Sequence, residues 1–374
     1  AKRRTAGAPE TAKRRGRLAF LFLCRAQIPT APIWTAFFDE ARREGGGDHY
    51  RVYSHPRPGF SFGRASPFYG TEISNRTNVG WGAVTVAKAE MLLVRAALED
   101  PLTERSLLLS EACVPLHPFW CLYSFLLSTE KSFVKTWTTD ERKQLYDFAA
   151  DDAFVKSRWR KGHQWVALHR NHAAILTERR YAQFADAHAR SPAAGEFRQL
   201  APARWGMAGA KADNTHHCFL DEHYTQTTLA LEGRESELVA ASPTYISFGK
   251  LRRVPRHGRR LLGALDINQK LKLGWRATTY DPEDLDDALF RSARGACDYD
   301  LDAKVPLFDP EVEIRTPRRG DALPWAASRD AADATCAFHE GVDAPCYLAL
   351  RKIPHKTVDA YLAKLWPGGS DVSV

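Results

Sequence analysis

The chain has 374 residues, of which 44% are hydrophobic and 26% charged, and a formal net charge of +8. This composition buries a large core, which excludes a disordered chain, and no window approaches the roughly eighteen uninterrupted apolar residues of a membrane span. The positive charge is concentrated in residues 1–17 and 250–276, leaving the remainder mildly acidic. A duplex-binding domain spreads its cations along a groove-sized face, so nucleic acid is not an expected partner.

Residues 1–17 read as a flexible basic stem or tail, such as remains beyond a membrane anchor, and 18–374 as a single domain with a basic insertion at about 250–276. The continuous apolar run Leu18 to Cys24 predicts a strand buried on both faces. Pro29 and Pro32 lead from it into an amphipathic helix, Ile33 to Arg43. A second strand, Arg51 to His55, ends at Pro56; apolar residues at helical spacing predict a helix over Val84 to Leu98. Leu107, Leu108 and Leu109 make Arg105 to Ser110 a third buried strand, and the closing segment reads as a strand, Tyr347 to Leu350, then a helix, Thr357 to Leu365. The alternation predicts an α/β fold with a mostly parallel sheet flanked by helices.

In such sheets ligands bind beyond the carboxyl ends of the strands. That rule selects Cys24 and Arg25, His55 to Arg57, and Ser110 to Cys113, with Glu111 as the carboxylate after the third strand. In the second half, Asp221-Glu222 sits between an apolar pair and His223-Tyr224. Such adjacent acids serve either a helix start or proton transfer at an element boundary. Arg351-Lys352 is either a solvated pair or a clamp for a departing diphosphate. The segment Trp159 to Trp165 packs two aromatic rings, several cations and a glycine together. It serves either as a buried Trp beside a charge run or as a sugar site that stacks ring faces and bonds hydroxyls. Asp298-Tyr-Asp300-Leu-Asp302 has the look of a chelating Asp-x-Asp, but it follows Asp221-Glu222 instead of preceding it and reads as solvated loop acids. No Cys or His spacing makes a zinc site. Cys336 and Cys346 suit a small disulfide-closed loop, and Asn75-Arg76-Thr77 is a glycosylation sequon; both fit an oxidising compartment.

Six blocks occur in order: Phe20 to Arg25 with Pro29 and Ala31 to Trp34; Tyr53 to His55 with Pro58 to Phe60; Leu108 to Leu116; Arg158 to Trp165; Cys218 to Tyr224; and Cys346 to Lys352. Together they resemble the core-2/I-branching family of β-1,6-N-acetylglucosaminyltransferase-like proteins, most closely its plant and algal branch, over about 18 to 366. The resemblance implies a glycosyltransferase A (GT-A) fold, Rossmann-like, and a Golgi-lumenal type II membrane protein whose anchor lies outside these residues. It implies an inverting transfer of GlcNAc or a related sugar such as xylose from a nucleotide-sugar donor such as UDP-GlcNAc to a glycan or glycoprotein hydroxyl, with no metal or cofactor required. By it, Glu222 is the general base and Lys352, with Arg351, supports the leaving diphosphate. Arg25, His55, Arg57 and Glu111 would bind the donor, and Gly162, Gln164, Trp165 and Asp221 would line the acceptor or sugar pocket. The branch's Trp-Ser-Arg-Gly-Gly block is missing; Arg252, Arg253, Arg256 or Arg276 stands in that region, and Cys24 replaces the branch's usual Thr. The alternatives are a catalytically silent sugar-binding or scaffold protein and a polyanion binder acting through the basic segments.

Overall fold

The computed structural model describes residues 16–80, 85–127, 129–137, 157–158, 160–178, 220–247, 277–286, 289–290, 293 and 347–365. The basic stem up to residue 15, the basic insertion with Arg252, Arg253, Arg256 and Arg276, and Trp159, Cys218, Asp298 to Asp302, Cys336 and Cys346 lie outside them. No helix among the described residues is long and apolar enough to cross a membrane.

The centre is a six-stranded sheet. Its first three strands, β1 (Arg17–Leu23), β2 (Tyr50–His55) and β3 (Thr103–Ser110), are parallel, with β1 in the middle. Their register is even at the carboxyl end, where Leu23 lies level with both His55 and Ser110. Three later strands extend the sheet beyond β3 in the order β8 (Ala167–His169), β5 (Ser132–Phe133), β9 (Leu238–Val239). β8 is antiparallel to both of its neighbours, so the sheet is mostly, not wholly, parallel. A second sheet pairs β4 (Cys113–Pro115) antiparallel with β11 (Ala349–Arg351), and β11 parallel with β10 (Thr244–Ile246). A two-stranded ribbon joins β6 (Thr136–Trp137) to β7 (Lys161–Gly162).

The alternation along β1 sorts its side chains to two hydrophobic layers. Leu18, Phe20 and Phe22 pack under α1 (Ala31–Arg43) and α3 (Phe119–Leu127), where Phe22 meets the Trp34 ring edge-on at 4.9 Å between centroids. Ala19 and Leu21 face α2 (Thr85–Leu98), α4 (Arg170–Thr177) and α5 (Tyr224–Leu231). Both faces of the strand are buried, and the continuous apolar run follows from that. α1 begins two residues earlier than its apolar pattern predicts because Pro32 is tolerated in a first turn, whose amide has no intrahelical acceptor. A third apolar cluster, including Val114, Leu350, Ile353 and Tyr361, seats α6 (Val358–Leu365) against β4 and β11. The closing strand is shifted to Ala349–Arg351, which makes Arg351 its last residue.

Candidate active site

The level carboxyl ends of β1, β2 and β3 bring three loops together, and backbone bonds lace them. Cys24 N–H donates to the His55 carbonyl at 3.3 Å, and Arg57 N–H to the Arg25 carbonyl at 3.1 Å. The turn after β3 is held from α1: Trp34 Nε1 donates to the Cys113 carbonyl at 3.0 Å, and Thr30 Oγ1 to the Glu111 carbonyl at 3.1 Å. So fixed, the Glu111 carboxylate receives the Arg25 backbone N–H at 2.7 Å and its Nε at 3.1 Å, while the rest of the Arg25 side chain stays 92% exposed. Arg57 is exposed beside it, and Arg76 is pinned through Nη1 to the Phe60 carbonyl at 2.7 Å. These groups form a cationic rim where a polyanionic ligand would meet the sheet.

His55 itself is fully buried. Its Nε2 accepts the Thr77 N–H at 3.1 Å, so the ring proton belongs on Nδ1, which makes no bond outside its own residue. Burial, followed by the neighbouring Arg76 charge, holds its pKa below the ordinary value, which keeps the ring neutral. Cys24 is a buried free thiol whose pKa burial raises far above usual, so it is no nucleophile at neutral pH.

Across the mouth of the sheet, Arg351 ends β11. Its guanidinium lies 4.8 Å from the centre of the Trp165 ring, and its Nε donates to Ser110 Oγ at 3.2 Å. Burial pulls its pKa down, offset by Cys113, Glu111 and Asp221, which places those acids within electrostatic reach of the guanidinium. Lys352 follows, half-buried, with its backbone stitched to the 277–281 segment by Lys352 N–H to Thr278 O and Tyr280 N–H to Lys352 O. Trp165 is 4% exposed and belongs to the layer beneath the sheet, so it offers little ring face to a ligand.

Asp221 and Glu222 lie on a single helical turn, Leu220–Glu222, that feeds α5. Glu222 points outward, its side chain 36% exposed, and pairs with Lys161 Nζ at 3.1 Å. Asp221 points inward: its Oδ1 is sealed from solvent without a hydrogen-bond partner, and burial and the Glu222 charge raise its pKa. Gly162, beside Lys161, must be a glycine, because a Cβ there would run into the Lys135 carbonyl. That close approach lets Gln226 Nε2 reach the His163 carbonyl at 2.7 Å and ties α5 to the ribbon. Gln164 does not face outward: its Nε2 donates to Glu90 Oε1 at 2.6 Å.

The structure thus places Arg25, Arg57 and Glu111 at the rim and Arg351, Asp221 and Glu222 across the mouth, while His55, Gln164 and Trp165 are turned into its wall beside Gly162 and do not line an open pocket. Two participants escape the sequence reading. Lys161 is visible in its segment only as one of several cations, yet it is the one that pairs with Glu222 among the described residues. Glu90 is hidden inside an apolar helix, and the signal for it is its place on the inward stripe with Ala87, Val94 and Ala97.

Residues 18–272 match the family model described as Core-2/I-Branching enzyme. The chain belongs to the Core-2/I-Branching enzyme family. It is 32% identical over 343 residues to "Glycosyltransferase BC10" of Oryza sativa subsp. japonica, an alignment covering 90% of this chain and 73% of that protein. Membership makes the chain a glycosyltransferase, with a nucleotide-sugar donor and a glycan acceptor as the general co-substrates, and the mixed α/β architecture is consistent with the GT-A-like fold of Core-2/I-Branching enzymes.

Proposed function

We propose that the protein is an inverting, metal-independent glycosyltransferase, moving GlcNAc or a related sugar such as xylose from a nucleotide-sugar donor to a hydroxyl of a glycan or glycoprotein. The observation that carries this reading is the placement of one solvent-reaching carboxylate, Glu222, on the same turn as Asp221, which lies within the field of the Arg351 cation at the end of β11. In a single in-line displacement the acceptor oxygen bonds to the anomeric carbon as the bond from that carbon to the diphosphate oxygen breaks. The acceptor proton passes to Glu222, and the negative charge of the departing nucleoside diphosphate is met by Arg351 and Lys352, with Arg25 and Arg57 at the rim. Such a cation clamp performs the task a divalent metal performs elsewhere. One feature favours it here: the turn after β3 offers a single carboxylate, Glu111, already engaged by Arg25. The ion pair with Lys161 Nζ, 3.1 Å away, fixes where the Glu222 carboxylate stands as the acceptor hydroxyl approaches.

Residence in the Golgi lumen behind an anchor outside these residues belongs to the same proposal. The exposed sequon residue Asn75 and a disulfide-bonded Cys121 favour an oxidising, glycosylating compartment. The test is nucleotide release from a panel of sugar nucleotides with glycan acceptors, with and without a chelator, for the native protein and Glu222→Gln. One donor is expected to be consumed, with turnover that survives chelation and is lost in the variant. Ordinary turnover by Glu222→Gln overturns the base assignment, and loss on chelation overturns metal independence.

A further inference from the structure

Glu90 is 6% exposed on the inward stripe of α2, among Ala87, Leu93, Val94 and Ala97. An ionised carboxylate in such a place is costly without a cation, and the cations nearby are engaged elsewhere. Lys161 pairs with Glu222, and Arg351 lies over Trp165 and bonds Ser110. The partner Glu90 has is neutral, the Gln164 amide at 2.6 Å. Facing it are Asp221 from the turn before α5, Gln164 from the β7–β8 segment, and the uncharged Ser106 and Thr225 from β3 and α5, while Glu222, Lys161 and Arg351 stand around Asp221. Asp221 is the near charge, and its sealed Oδ1 has no donor.

We propose that Glu90 is a positioning residue for glycosyl transfer, its buried carboxyl bonded to Gln164 where α2 packs against the Asp221-Glu222 turn. The inference rests on the reading of Glu222 as the base. Two carboxyls at close quarters away from water carry one proton between them. Burial and the Asp221 charge both raise the Glu90 pKa, which favours its protonated form. With the pair singly charged, Glu222 faces one buried negative charge instead of two, and its turn keeps its seat. Deprotonation at alkaline pH adds the second charge, repels the turn and withdraws the base. Glu90 touches neither donor nor acceptor; it acts through Gln164 and Asp221.

The experiment measures kcat and donor KM from pH 5 to 9 for the native protein, Glu90→Gln, Glu90→Ala and Glu222→Gln, with melting curves for each. The amide of Glu90→Gln keeps an acceptor for Gln164 and cannot ionise. It is expected to retain most of kcat near pH 6 and to move the alkaline fall of kcat upward. Glu90→Ala is expected to lose about tenfold or more in kcat, with donor KM within about threefold, because a displaced base lowers the rate more than binding. Native kcat in Glu90→Ala at every pH overturns the proposal, as does a Glu90→Gln that loses as much as Glu90→Ala and keeps the native pH profile. Should Glu90→Ala fail to fold, Glu90→Gln decides by whether the alkaline limb moves. Activity in Glu222→Gln would instead overturn the base assignment itself.

Discussion

The two ends of the central sheet hold buried charge in opposite ways. At the amino end of β3, Arg105 Nη1 donates to the Lys131 carbonyl at 3.0 Å, and Arg170 donates to the carbonyls of Leu98, Asp100 and Thr103. His172 bridges Ser132 Oγ, 2.7 Å from Nδ1, and Glu237, 2.9 Å from Nε2. With the carboxylate accepting, Nε2 carries the proton and Nδ1 accepts from the serine hydroxyl, which itself receives the His169 N–H at 2.8 Å. At the carboxyl end, His55 Nδ1 and Asp221 Oδ1 are buried without such bonds, and Arg25 reaches into solvent. Thr103 Oγ1 at the amino end is likewise without a bond, but there the buried arginines and His172 are paired, whereas His55 and Asp221 keep ionisable groups open where a ligand would meet the sheet.

Matched substitutions at the two ends break the comparison most sharply. Glu222→Gln is expected to lower the transfer rate by about a hundred- to ten-thousand-fold, as loss of a general base does, with a near-native melting temperature. His172→Ala is expected to do the reverse. It strips Ser132 and Glu237 of a buried partner and opens a cavity, which costs about 1–3 kcal/mol of stability and leaves kcat per folded molecule near native. Chemical denaturation and initial rates on the same samples check both. A His172→Ala protein that is stable but inactive would erase the distinction between the ends.

Gly162→Ala tests the wall between them. Its Cβ would overlap the Lys135 backbone, so β6 and β7 must separate and Gln226 loses its seat. Overpacking of this kind costs about 1–3 kcal/mol. Activity should fall along with the melting temperature, because the same ribbon carries Lys161. A stable, active variant would show that the ribbon is not needed to hold Glu222.

pH separates the ends by sign. At the amino end, burial and the Arg105 charge push the His169 pKa down to about 4, and burial lowers that of His172. The unfolded chain then takes up protons that the folded one refuses, so stability is full above about pH 6.5, the ordinary histidine value, and is lost as pH falls towards 4. At the carboxyl end, Glu90 and Asp221 have raised pKa values. There the folded state holds the protons, so the contribution is full below about pH 4 and is lost as pH rises through the raised values. Melting temperature against pH should therefore be a dome, with Glu90→Gln flattening its alkaline side only and His169→Gln its acid side only. A flat alkaline limb in the native protein would contradict the raised acids.

The two ends also differ in how far the sequence foretells them. β1, β2, β3, α1 and α2 announce themselves by local period, and the parallel-sheet rule then points to Arg25, His55, Arg57 and Glu111 without any contact being known. Glu222, Arg351 and Lys352 need the family resemblance, since their types and spacing equally suit a helix start and a solvated pair. The His172 network joins residues 40 and 65 positions apart, and Arg351 meets Ser110 across 241 positions; no local pattern encodes such meetings. Glu90 is concealed differently, because helical periodicity counts an inward acid as an interruption when it is the group the neighbouring carboxylate has been placed to meet.

The smallest effect sharpens the comparison most finely. Arg25 is paired with Glu111, yet 92% of its side chain is exposed, and an exposed pair contributes little to stability once solvent screening and side-chain ordering are counted. Arg25→Ala should therefore shift the melting temperature by no more than about 2 °C. If the rim receives a diphosphate, the same change should raise donor KM several-fold, more at low salt than at high, because the lost attraction is a screened one. Donor KM at two ionic strengths checks this. An Arg25→Ala protein with native KM at both would move the phosphates off the β1 rim and onto Arg351 and Lys352 alone.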